Sequence, residues 1–98
     1  MNIQAMMKQA QKLQSDMMKE KEQIDSKEFV GKSSFVTAKL KGTKEIVSIK
    51  IDQESLDQED IEMLEDLITV AINDAMKQID SETEKNLGKY TKGIPGLF

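Results

Sequence analysis

Histidine, cysteine, arginine and tryptophan are all missing from this 98-residue chain, and each absence removes a class of chemistry. Without His or Cys there is no Cys/His zinc site, no thiol or imidazole nucleophile and no disulfide staple. Without Arg there is no planar fork to clamp a carboxylate or to read guanine bidentately. Aromatic residues make up 4% of the chain and hydrophobic residues 38%, a thin supply for a core. A small chain enlarges its core most easily by associating with another copy. No apolar run approaches the about 20 residues that span a bilayer. Met1-Asn2-Ile3-Gln4 opens no signal-peptide core. A cytoplasmic protein of one domain, with no membrane partner, is the expectation.

What the chain does have is charge, unevenly placed. Its 14 basic residues, all Lys, and 18 acids leave a net charge of −4. Ten Lys and six acids fall in residues 1–50, and four Lys and twelve acids in 51–98. The first half is therefore net basic and the second strongly acidic. Lys8 and Lys12 lie in an opening stretch of fifteen residues that holds no acid at all. The pattern reads as a basic arm on an acidic body; two solvated faces of different charge is the plainer alternative.

Residues 3–26 repeat apolar side chains at alternating three- and four-residue steps. Ile3, Ala10, Met17 and Ile24 take one position of the heptad, Met6 and Leu13 the other, and Glu20 interrupts the second. The spacing predicts an amphipathic helix, and a lone helix cannot bury such a seam in water. These six apolar residues are candidate dimer contacts. At about 100° per residue, Lys8, Lys12 and Lys19 share a narrow arc opposite the seam, forming a lysine ridge.

Between 28 and 52 the period becomes two, which predicts a three-stranded antiparallel sheet. Phe29-Val30 begins a short first strand that ends near Gly31, and a hairpin turns at Gly42-Thr43. If Lys41 pairs with Lys44, then Ala38 faces Val47 and Val36 faces Ile49. The opposite face then carries Phe35, Lys39, Lys41, Lys44, Ile46 and Lys50, a crowd of like charges that costs a little unless an anion lies over it. A solvated sheet face, with lysines guarding the edges, is the alternative.

A second helix is expected over 57–87. Asp57 caps it, and Glu59, Asp60 and Glu62 suit the positive end of its dipole. Ile61, Leu64, Ile68, Ala71, Ala75 and Ile79 form its main stripe. Met63, Leu67, Val70, Ile72 and Met76 widen it, so the helix should be buried on two sides. One side belongs to the sheet; the other is assigned to a second subunit, with Leu67 and Val70 as contacts. Gly88 and Gly93 loosen the chain, and the apolar ending Gly93-Ile94-Pro95-Gly96-Leu97-Phe98 is expected to dock. The fold class is α+β: an α-β-β-β-α two-layer subunit with a small antiparallel sheet, dimeric, with projecting first helices.

Catalytic and metal motifs do not emerge. The run Asp52-Gln53-Glu54-Ser55-Leu56-Asp57 fails the calcium-loop pattern at Leu56 and Asp57. Glu62, Glu65 and Asp66 have the spacing of a solvated helix face rather than of paired acids in a pocket. There is no glycine-rich phosphate loop and no nucleophile elbow. No enzymatic activity, cofactor, metal or small-molecule substrate is expected.

Five ordered segments carry a resemblance. They are Met6-Met7-Lys8-Gln9-Ala10-Gln11-Lys12-Leu13-Gln14, Val47-Ser48-Ile49-Lys50-Ile51-Asp52, Asp60-Ile61-Glu62-Met63-Leu64-Glu65-Asp66-Leu67, Ala71-Ile72-Asn73-Asp74-Ala75 and Gly93-Ile94-Pro95-Gly96-Leu97-Phe98. Together they resemble the YbaB/EbfC family of bacterial nucleoid-associated proteins across essentially the whole chain. One departure is Gly31-Lys32-Ser33-Ser34-Phe35, shorter and poorer in glycine than the stretch usual there. The resemblance implies a tweezer-shaped homodimer at the cytoplasmic nucleoid, holding double-stranded DNA with its first and last helices. It also makes recombination or replication proteins candidate partners. Carried over, Lys8 and Lys12 are DNA-contact candidates, joined by Lys19 on the ridge and by Lys85, Lys89 and Lys92 near the C-terminus. A protein-interaction adaptor that uses the Met-rich seam without touching DNA is the competing reading.

Overall fold

A computed structural model describes residues 2–93, with side chains as far as Tyr90. The order is α1 (Ile3–Ser26), β1 (Glu28–Ser33), β2 (Val36–Lys41), β3 (Ile46–Ile51), a 3-10 turn (Gln58–Asp60) and α2 (Ile61–Gly93). The strands form one antiparallel sheet in the order β1-β2-β3. This is the expected α-β-β-β-α architecture. The chain is elongated, 71 × 20 × 14 Å, because two long helices extend past a small sheet.

Helix α1 keeps the bounds that its periodicity predicted. It starts at Asn2, whose side-chain oxygen accepts from the N–H groups of Gln4 (3.1 Å) and Ala5 (3.4 Å), satisfying donors that a helix start leaves without partners. It stops where the Lys27 N–H turns back to the Ile24 carbonyl at 3.1 Å. At the start of α2 the Asp60 carboxylate accepts from the Asp57 N–H at 3.1 Å, fixing the entry turn. The helix then runs through Gly88 to Gly93, beyond the expected end at 87.

The sheet differs from the expected register in an instructive way. The Lys41 N–H donates to the Glu45 carbonyl at 2.9 Å, not to Lys44, so the turn holds one residue more, with Lys44 at a φ of 74°. A bulge opposite Lys39/Leu40 absorbs another. Ala38 therefore faces Ile49, and Val36 faces Ile51. From Ser48 to Ile51 the total slip is two residues, and a slip of two keeps those side chains on their expected side of the sheet. Val36, Ala38 and Leu40 are fully buried, whereas Val47, at the bulge, is 45% exposed. Phe35 does not join the lysine face: it sits in the Ser34-Phe35 turn and packs against the core. Ile46 also leaves that face, pairing with Leu40 beyond the bulge. Strand β1 continues past Gly31 to Ser33.

Both helices pack on the sheet at glycines. A Cβ on Gly31 would collide with the Ala71 carbonyl and lie 2.6 Å from the Ala75 nitrogen, so α2 rests directly on β1. A Cβ on Gly42 would strike the Ile24 carbonyl, where α1 meets the hairpin. The core comprises Ile24, Phe29, Val36, Ala38, Leu40, Ala71, Ala75, Ile79 and Leu87. Of the α2 stripe, Ala71, Ala75 and Ile79 are buried, whereas Ile61 remains 51% exposed. The apolar ending, residues 94–98, lies outside the described residues.

Candidate nucleic-acid interface

Two ion pairs define how α1 meets α2. Lys27 Nζ lies 2.7 Å from Glu82, and Lys89 Nζ lies 2.8 Å from Glu20. Seven residues back along α1 correspond to seven onward along α2, so the helices run antiparallel in constant register. Continued four residues further, the register sets Asp16 beside Gly93. The first half of α1 thus runs beyond the last described residue of α2, and residues 2–12 are all exposed.

Lys8, Lys12 and Lys19 are all exposed on this helix, and none has a carboxylate within ion-pairing distance among the described residues. They share an arc of about 40° over roughly 16 Å of helix. The face that packs on α2 holds Leu13, Asp16, Met17, Glu20 and Ile24, all at least half-buried. The ridge therefore faces sideways from the contact, open to solvent.

The C-terminal candidates have separate fates. Lys89 is held by Glu20. That hydrogen bond, with the nearby carboxylates of Glu20 and Asp16, raises its pKa above the usual 10.5. Tyr90 beside it is also raised above its usual 10.0, chiefly by burial and then by the Glu20 charge. Lys85 is exposed and lines a groove of about 550 Å³ with Lys27 and Lys77. Lys92 belongs to the α2 backbone, but its side chain is outside the described residues. Sequence reasoning missed Lys77; its signal was the spacing to Lys85, two steps of four on one helix face.

The candidate dimer residues also separate. Ile24 is 5% exposed, inside the subunit's own core. Leu13, Met17 and Leu67 are half-buried. Ile3, Met6 and Val70 are 70%, 53% and 53% exposed, and Ala10 is exposed too. Among the described residues no group of three or more acidic, His or Cys side chains could hold a metal, and no helix is long and apolar enough to cross a membrane.

The model of the YbaB/EbfC DNA-binding family matches residues 1–94. The chain belongs to that family. It is 50% identical over 96 residues to a nucleoid-associated protein of Lactobacillus acidophilus, covering 96% of this chain and 86% of the relative. It is 48% identical to one from Lactococcus lactis, covering 97% and 98%, and 46% identical to one from Enterococcus faecalis, covering 98% and 94%. For a YbaB/EbfC chain, the exposed lysine ridge is the natural place to seek the nucleic-acid contact.

Proposed function

We propose that this chain is the subunit of a nucleoid-associated homodimer that holds duplex DNA by its phosphates, with little base readout. The observation that carries the reading is the exposed ridge of Lys8, Lys12 and Lys19 along α1, without a paired carboxylate among the described residues, in a chain of a DNA-binding family. Lysines that meet phosphates supply affinity and release counterions, while base edges supply sequence information. The net charge of −4 per chain opposes binding at long range. Screening beyond about 8 Å at physiological salt lets the local ridge decide.

The dimer is supported by the sheet edges. The outward backbone of β1 is occupied from within: Asp74 accepts from the Lys32 N–H at 3.1 Å, and Gln78 donates to the Val30 carbonyl at 2.8 Å. Strand β3 has no such cover among the described residues, and Ile46, Val47 and Ile51 are 48%, 45% and 39% exposed. A second copy against β3, and against the open start of α2 around Val70, would remove that apolar surface from water.

The test is a fluorescence-anisotropy titration of duplex DNA at several salt concentrations, with light scattering on the same sample. A species of twice the 11.1 kDa chain mass should bind with a log–log salt slope reaching about −5 if six lysines of a dimer engage. Replacing Lys8, Lys12 and Lys19 by Glu should abolish binding and leave the dimer intact. Retained binding would sink the ridge reading. A wild-type dimer that leaves DNA untouched even at low salt would favour a protein-interaction adaptor, for which the exposed Ile3, Met6, Met7 and Met18 offer the surface.

A further inference from the structure

The helices cover one face of the sheet; the other is bare and basic. Burial alternates along β1 and β2, placing Phe29, Gly31, Val36, Ala38 and Leu40 inward. The register then sets Lys32, Thr37 and Lys50 in one row across the three strands, Val30, Lys39 and Ser48 in the next, and Glu28 opposite Lys41 beyond them. With Glu45 opposite Lys41 on the hairpin, the face holds four lysines and two acids in a chain whose net charge is −4. Lys41 has a carboxylate, Glu45, at 3.6 Å. Lys32, Lys39 and Lys50 have none within ion-pairing distance among the described residues. The acid nearest this edge, Asp74, is engaged by the Lys32 backbone and by Gln78.

Edge protection does not account for these residues. Strand lysines commonly blunt an open edge, yet Lys39 lies on the central strand β2, and the β1 edge beside Lys32 is already occupied by α2 side chains. Like charges on diagonal neighbours of a sheet repel, and each is relieved by an anion placed between them. Lys32, Lys39 and Lys50 surround the Thr37 side chain, with Ser48 beside Lys39, so hydroxyls lie between the cations.

We propose that this open sheet face is a second phosphate-contacting surface, separate from the α1 ridge, and that its occupant is the backbone of duplex DNA. The inference rests on DNA being the partner and is independent of whether the ridge is the main contact. The charge complementarity of the face selects a polyanion, and the family of the chain makes that polyanion DNA. A subunit with two such surfaces can touch two stretches of duplex at once.

The experiment compares two variants of the full-length protein by DNA anisotropy between 50 and 200 mM salt. One carries Lys32→Gln, Lys39→Gln and Lys50→Gln; the other carries the ridge substitutions. Each lysine that holds a phosphate removes about 0.9 from the slope of log affinity against log salt. The sheet variant should therefore lose one to three such increments per subunit, with weaker binding at 50 mM salt. Lys39→Thr alone, a substitution suited to a central strand, should lose one and guards against a misfolded triple variant. Wild-type affinity and slope in both sheet variants would overturn the inference, leaving a solvated face. A sheet variant that fails while the ridge variant binds normally would uphold it and overturn the ridge. Wild-type protein that ignores DNA at 50 mM salt would overturn both.

Discussion

The two halves of α1 have similar sequences and opposite situations. Between Leu13 and Ser26 the helix lies against α2, and three of its charges are engaged: Glu20 with Lys89, and Lys21 with Asp25 at 3.4 Å. Between Ile3 and Lys12 every residue is exposed, and neither lysine is paired among the described residues. Both halves carry the same apolar seam. What separates them is the stretch of α2 alongside, whose last described residue, Gly93, falls beside Asp16 in the register of the two ion pairs. Lys8 and Lys12 are open because they lie beyond the last described residue of α2, whereas Lys19, alongside α2, is open because it faces sideways from the contact.

That contrast can be broken most severely where α1 is anchored. Ile24→Ala removes a side chain that is 5% exposed and should cost about 3 kcal/mol, read as a lower urea midpoint with an unchanged slope. The matching change at the open end, Ile3→Ala at 70% exposure, should stay within about 0.5 kcal/mol. Equal losses would show that the open half is covered after all.

Alkali should act next in size, and it acts on the docked half alone. Lys89 is raised above 10.5 and so contributes stability that is complete below that pH and lost as pH rises through its folded value. Tyr90 is raised above 10.0, so the folded state disfavours its phenolate and stability again falls as pH rises past 10.0. Melting temperatures should therefore drop from pH 10 upward. As the chain has one tyrosine, phenolate absorbance reports this contact directly. Glu20→Gln should bring that titration back toward pH 10.0. Its effect on melting should be the smallest of the series and should vanish in high salt, since the pair is more than half exposed on the lysine side.

The bounds of α1 could be read from the sequence because their signal is local: a heptad seam that begins at Ile3 and ends after Ile24. Glu20 looked like a flaw in that seam; it is the residue that meets Lys89, a partner 69 positions away, and no local pattern announces such a contact. The same tertiary pairing carries α2 through Gly88, where propensity favoured a stop. The hairpin register was missed because it depends on one extra turn residue and one bulge, neither of which alters the alternation of apolar side chains. Lys8, Lys12 and Lys19 were legible as a ridge from helical geometry. Lys32 was missed as a member of the basic sheet face because the first strand was ended near Gly31, two residues short of Ser33.

Asp74 and Gln78, reaching around to close the β1 edge, bear on what the protein can become. A sheet with one sealed border and one free border has a valence of one. Two copies that meet through their free borders use up both, and growth stops at a pair. In a dimer of that kind, replacing Asp74 and Gln78 with leucine would remove the bonds that seal the β1 border and raise the valence to two.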